Sequence, residues 1–116
     1  MRLGVNTWVW TTPLNTDELG RLTVKIAGMG FDHIEVPVEL SNEVDYAKAG
    51  QLARDRGLTV SACGAFGPDQ DLISESAETR AGAMKYVRHC IESASALGAA
   101  NLIARFSKKL LRRRAT

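Results

Sequence analysis

Cysteine is scarce in this 116-residue chain, with Cys63 and Cys90 the two present. Two thiols cannot form the disulfide framework of a small secreted scaffold, and both fall in regular-looking segments, which suits a reducing cytosol. Long apolar runs are also missing: no uninterrupted stretch approaches the roughly 18 residues that a membrane span needs. Arg2 leads straight into a strand-like run, not into a leader with a small-residue cleavage site. No G-x-G-x-x-G follows the first strand-like run and no G-x-x-x-x-G-K-[ST] occurs, so nucleotide-binding sheets lose support. Hydrophobic residues at 45% and charged residues at 24% are near globular averages, which excludes disorder, collagen and coiled coil. The length allows one domain with a modest core.

Acidic residues are absent from the C-terminal segment RFSKKLLRRRAT (105–116), which holds six positive charges. The whole chain carries a formal +2, but without that segment nine Lys and Arg face thirteen acids, a net of −4 for residues 1–104. The body is acidic and only the tail is basic, so a nucleic-acid-seeking protein is not indicated. Phe106, Leu110 and Leu111 allow the tail a short amphipathic helix that could bind RNA, DNA or an anionic membrane surface. No aromatic platform accompanies it, which weakens the nucleic-acid reading.

The remainder alternates between two periodicities. Residues 3–10 (LGVNTWVW) predict a strand, with Val5, Thr7 and Val9 alternating with Asn6, Trp8 and Trp10. Asn15 or Thr16 can cap a helix carrying Leu19, Leu22, Ile26 and Met29 on one face, and Gly30 stops it. A second strand covers 33–38 (HIEVPV). A weaker helix over 43–56, with Val44, Ala47, Leu52 and Ala53 apolar, ends at Gly57. A third strand is expected at 58–63, continued by Gly64-Ala65-Phe66. The strongest helix spans 78–97, with Met84, Val87, Ile91, Ala94 and Leu97 on its apolar face and Gly98 as its stop; a fourth strand begins at 100–104. Strands separated by helices imply parallel pairing. An open doubly wound sheet and a (β/α)8 barrel both satisfy this pattern, and either binds ligands at the carboxyl ends of its strands.

The segment GFDHIEVPVE (30–39) resembles the second-strand motif of the xylose-isomerase-like barrel superfamily. Residues 67–104 are similar to the third loop, third helix and fourth strand of its ketose 3-epimerase and sugar phosphate isomerase/epimerase members, the tagatose and psicose (allulose) 3-epimerases among them. Gly67-Pro68, Asp71-Leu72-x-Ser74, Arg80 and Leu97-Gly98-Ala99 carry the specific part, and GVNTWVW fits more loosely. The resemblance covers 1–104 and stops after Ala104.

It implies an α/β fold: a parallel half-barrel of about four strands and three helices, the N-terminal part of a TIM (β/α)8 barrel. It also implies a divalent metal, Mn2+, Mg2+ or Co2+, held by two Glu, one Asp and one His, with two carboxylates moving the proton at C3 of a ketose. A hard cation stabilises the enediolate, and epimerisation needs a base on each face of the carbon. In the family these ligands come from strands five to eight, so no catalytic or metal-ligating residue is assigned here, and no metal is expected on this chain alone. A full barrel runs to about 250 residues. The expectation is therefore a cytoplasmic sugar isomerase/epimerase truncated near residue 105, where the reading frame is lost, and inactive alone. Alternatives are a half-barrel that self-associates or joins a second half into an active isomerase, and a small binding module using the basic tail. Within the superfamily, endonuclease IV-like and inosose dehydratase-like enzymes stay open.

The substrate-side candidates are Asn6, Trp8, Glu35, Gly64 and Phe66. Asn6 and Trp8 would share a strand face lining a sugar pocket, an aromatic for the sugar's apolar face beside a polar group for hydroxyls; interior packing is the alternative. Glu35 interrupts an apolar strand, where an unpaired carboxylate is costly. By analogy it orients pocket groups, the alternative being an acid exposed at the mouth. Gly64 would let substrate approach the backbone and Phe66 would wall the pocket. Glu39 reads as solvated, Cys63 as a small hydrophobe, His33 and His89 as structural or exposed, and Arg80 as fixing the preceding loop.

Overall fold

A computed structural model of the protein describes residues 1–106. Its elements are β1 (Gly4–Asn6), α1 (Thr16–Gly28), β2 (His33–Val38), α2 (Tyr46–Asp55), β3 (Thr59–Phe66), α3 (Ala77–Leu97) and β4 (Leu102–Phe106). Short 3-10 turns occupy Thr7–Val9 and Pro68–Gln70. Local signals set most boundaries. Asn15, Asp45 and Ser76 cap the three helices by accepting the N–H groups of Glu18, Lys48 and Thr79. Gly30, Gly57 and Gly98 follow the helices with positive φ, which releases the chain into the next strand.

The four strands form one parallel sheet in the order β1-β2-β3-β4. That order decides between the two architectures. Right-handed crossovers that always step the same way collect their helices on one face, and α1 packs on α2 and α2 on α3. A doubly wound sheet reverses direction and covers both faces. The arrangement is a partial (β/α)8 barrel. Strand alternation separates its faces: Ile34, Val36 and Val38 of β2 and Val60 and Ala62 of β3 join Leu19, Leu22, Ile26, Ala53, Cys90 and Leu97 in the core beneath the helices.

The first strand is shorter than predicted for residues 3–10. Asn6 pairs with Glu35, so the next position of β2 facing β1 is Pro37, which has no N–H to donate. The Thr7 carbonyl accepts instead from Trp10 and Thr11 at 3.0 and 3.1 Å, closing the 3-10 turn. Asn6 caps it, its Oδ1 accepting from the Trp8 N–H at 2.8 Å. Asn42 Nδ2 donates to the Pro37 carbonyl at 2.9 Å.

Two helix faces also depart from expectation. α2 buries Ala49, Gly50 and Ala53; Val44 precedes the helix and Ala47 is exposed. α3 buries Ala83, Tyr86, Cys90, Ser93, Ala94 and Leu97, while Met84 and Ile91 are 43% and 55% exposed. Both buried faces are rich in small residues, because the helices approach their neighbours closely. A Cβ on Gly50 would fall on the backbone carbonyl of Leu97. Arg54 Nη1 donates to that same carbonyl at 2.9 Å.

β4 runs through Arg105 and Phe106, which pair with Ala65 and Phe66; the ladder thus extends two residues past Ala104. The rest of the basic segment, residues 107–116, lies outside the described residues. No helix among the described residues is long and apolar enough to cross a membrane.

Gly50 and Gly82 offer a matched test of the close approach. A Cβ at Gly82 of α3 meets nothing within 4 Å, so Gly82→Ala raises stability by about 0.5–1 kcal/mol through helix propensity. Gly50→Ala sets the same gain against overpacking of about 1–3 kcal/mol and lowers stability. Urea midpoints of the two variants check this; a stabilised Gly50→Ala chain contradicts the α2–α3 contact.

Candidate functional site

The face of the sheet opposite the helices carries the polar side chains. Toward the amino ends of the strands, His33 Nδ1 lies 2.6 Å from Thr59 Oγ1 and Nε2 lies 2.7 Å from Ser61 Oγ. Both ring nitrogens are thus engaged, as a structural histidine requires. One pleat higher, Asn6 Nδ2 donates to Glu35 Oε1 at 2.9 Å and reaches Cys63 Sγ at 3.4 Å. Because Asn6 Oδ1 holds the turn at Trp8, its amide is used at both ends and its orientation is determined. Glu35 is therefore not an unpaired acid: Asn6 and the Cys63 thiol both serve it.

Burial pushes the Cys63 thiol up to about 12, and the hydrogen bond to Glu35 and that carboxylate's charge push the same way. At neutral pH the thiol keeps its proton and acts as a donor, so it is neither a nucleophile nor a thiolate ligand. The expectation of a merely apolar Cys63 missed this contact, because its partners come from β1 and β2.

At the carboxyl ends, the Trp8 indole Nε1 donates to Glu39 Oε1. Thr12 Oγ1 lies 2.9 and 3.1 Å from the two oxygens of the same carboxylate. Glu39, expected to be solvated, instead fixes the Trp8 ring. A cavity of about 730 Å³ opens here, lined by Asn6, Trp8, Glu35, Cys63, Ile103 and Arg105, among others. The Arg105 guanidinium carbon lies 5.6 Å from the Trp8 ring centroid. Asn6 and Trp8 thus line one cavity although the 3-10 turn, not a shared strand face, brings them together.

Gly64 and Phe66 are placed elsewhere, and the expectation that they wall this pocket is corrected by strand parity. Gly64 pairs with Val38 and Phe66 with Phe106, on the helix-facing side. A Cβ on Gly64 would meet Cys90 Sγ at 3.0 Å and the Phe66 ring at 3.1 Å. The glycine makes room for α3, not for a sugar. Phe66 packs edge-on to Tyr86 at 5.1 Å and against Phe106 at 5.4 Å. Tyr86 was not expected on this buried face. Its hydroxyl donates to the Val38 carbonyl at 2.6 Å and accepts from Ala65 N at 2.9 Å, bridging β2 and β3 where their ladder opens. Burial foremost raises its pKa. Arg80 does fix its loop, Nη1 donating to the carbonyls of Ser74 and Glu75 at 2.6 and 3.1 Å.

The cavity's donor set does not fit the divalent ion that the resemblance implies. It offers one carboxylate already engaged by two donors, an amide, and a protonated thiol. Among the described residues no three His, Cys, Asp or Glu side chains converge. No step through a metal is derived from these residues.

The raised thiol has a pH consequence. Below the ordinary value of 9.0 the folded and unfolded thiols are both protonated, and the folded state keeps the full benefit. Between 9.0 and about 12 the unfolded thiol ionises first and stability falls, by at most about 1.4 kcal/mol per pH unit from this group. Cys63→Ala flattens the alkaline slope in denaturation midpoints measured from pH 8.5 upward; an unchanged slope contradicts the assignment.

No family model and no curated protein matches the chain. Solved structures do. A D-allulose 3-epimerase from Methylomonas sp. in complex with D-allulose superimposes with a TM-score of 0.78 at 20% identity, over 90% of this chain and 36% of that one. An L-ribulose 3-epimerase gives 0.79 at 24% identity, over 89% and 35%. A D-psicose 3-epimerase determined in the presence of D-fructose gives 0.71 at 21%, over 90% and 37%. The chain spans little more than a third of the length of these structures. What the likeness establishes is the fold: four parallel strands and three helices arranged as in part of a (β/α)8 barrel.

Proposed function

We propose that this chain is the sugar-holding N-terminal part of a ketose 3-epimerase-like barrel, with the proton-transfer chemistry supplied by strands beyond those described. The observation that carries this reading is the Asn6–Glu35–Cys63 cluster beneath Trp8 in one open cavity. A carboxylate offers about four lone-pair sites. Asn6 and Cys63 occupy part of that capacity and hold Glu35 still, and the remainder accepts sugar hydroxyl protons. The Trp8 ring, held at its edge by Glu39, presents a flat face to the C–H side of a sugar. Asn6 is a positioning residue, because its amide is already used on Glu35 and on the turn. Isomerase-type chemistry and a divalent metal would then depend on residues other than those described.

The reading gives the chain a weak affinity for ketoses and no turnover of its own. Titration of D-allulose or D-fructose into the full chain, followed by NMR, measures the first. Glu35→Gln keeps the shape but removes the charge, and it weakens binding by about tenfold, as expected for a charge-assisted hydrogen bond. Leu72→Ser, at an exposed loop position, leaves binding unchanged. Absence of ketose binding, or a Glu35→Gln chain that binds as well as the parent, overturns the proposal. Epimerisation by the chain alone overturns the assignment of the chemistry to later strands.

A further inference from the structure

We propose that the Tyr86 hydroxyl is a spacer set into one rung of the β2–β3 ladder, and that it positions Trp8 of the sugar cavity from outside that cavity. The inference rests on the reading of the cavity as a sugar site and adds a positioning residue to it. The ladder itself identifies the rung. Where the two strands begin to pair, the Thr59 N–H donates to the Asp32 carbonyl at 3.1 Å. The register then holds from the His33 and Thr59 pair to the Val38 and Gly64 pair. A parallel ladder repeats at every second residue, so the same offset assigns the Ala65 N–H to the Val38 carbonyl. That bond is replaced. The Tyr86 hydroxyl donates to the Val38 carbonyl at 2.6 Å and accepts from Ala65 N at 2.9 Å. Two hydrogen bonds in series stand where one would, so both backbone groups are satisfied while the strands are held apart by an intervening oxygen.

The opening reaches Trp8 through the residue that follows Val38. Glu39 accepts from the indole Nε1 of Trp8, so the end of β2 and the ring are tied together. A second cavity of about 460 Å³ opens beside the rung, lined by Ala65, Tyr86, Glu39, Gln70 and Trp8, among others. Trp8 also lines the cavity that holds Glu35, and its ring therefore borders both spaces. Closing the rung would draw Val38 toward β3 and carry Glu39 and the indole with it. A bound water would satisfy the same two backbone groups, but it exchanges with solvent. Tyr86 cannot leave: it is 3% exposed, sits within the 21-residue helix α3 and packs edge-on to Phe66.

Tyr86→Phe keeps the packed ring and removes the spacer oxygen. On the full chain, NMR coupling across a hydrogen bond reports whether the Ala65 N–H is bonded directly to the Val38 carbonyl. The parent shows no such coupling at this rung, and Tyr86→Phe creates it. In the same variant the Trp8 indole signal moves without any ligand, and ketose affinity falls by about five- to tenfold, the worth of one lost ring contact or hydrogen bond. In a Glu39→Ala background, Tyr86→Phe no longer moves the Trp8 signal, as a cycle through Glu39 requires. Direct Ala65–Val38 coupling in the parent overturns the spacer without any variant. A Tyr86→Phe chain that lacks the coupling and exchanges its Ala65 amide freely overturns it as well. A closed rung with an unmoved Trp8 signal, or a Trp8 shift that survives Glu39→Ala, overturns the positioning role. Trp8 movement in a chain whose parent binds no ketose overturns the sugar reading alone and leaves the spacer standing.

Discussion

Pro37 brings no amide to the side of β2 that faces β1, and the mouth of the half-barrel is organised around that missing donor. With no partner to continue the ladder, the first strand ends at Asn6 and the Thr7 carbonyl turns to Trp10 and Thr11. Asn6 is then free to act at both ends, capping the turn with its oxygen and holding Glu35 with its nitrogen. The turn carries Trp8 over the sheet to Glu39, and the cavity forms between that ring and the strand ends.

The opposite face answers to a different requirement. Three helices on one side of four strands must lie close, and the residues at their contacts are small: Ala49, Gly50 and Ala53 on α2, Ala83, Cys90 and Ala94 on α3, and Gly64 on the sheet. Tyr86 is the large exception. Its hydroxyl enters between β2 and β3 where the ladder opens and satisfies a carbonyl and an amide that burial would otherwise make costly. The helix layer therefore sets the splay of the strand ends from behind, while Asn6, Glu35 and Cys63 arrange the front. Between them the two faces share β3, and neighbouring residues on it serve opposite purposes: Cys63 the cavity, Gly64 the helix.

Much of this was legible locally. The span of β2, the cap at Asn15 and the three glycine stops each follow from a few adjacent residues, and the periodicity of α1 correctly marks Leu19, Leu22 and Ile26 as buried. The architecture needed one further fact, the sequential strand order, which no local pattern contains. Several departures share a cause, dependence on a partner distant in sequence. The end of β1 is set by Pro37, the burial of Gly50 by Leu97, and the role of Glu39 by Trp8 and Thr12. α3 was misread because hydrophobicity favours Met84 and Ile91 over alanine, whereas close packing favours alanine. Gly64 and Phe66 were misplaced by treating the whole strand end as pocket, when alternation gives each face every second residue. Arg105 opens the basic run where the resemblance stops, yet its pairing with Ala65 puts it in the sheet.

Charge in the cavity is likewise a matter of position. An acidic body and a basic C-terminal segment meet there, with Glu35 from one and Arg105 from the other lining the same space around Trp8. The two tryptophans make the central claim directly measurable, because Trp8 lines the cavity while Trp10 lies beneath Lys25, 5.2 Å from its ring centroid. Their indole N–H signals, assigned by Trp10→Phe, can be followed by ¹⁵N NMR as a ketose is added. The account predicts that the Trp8 signal shifts saturably and the Trp10 signal stays in place. A stationary Trp8 signal, or a shift confined to Trp10, would contradict it.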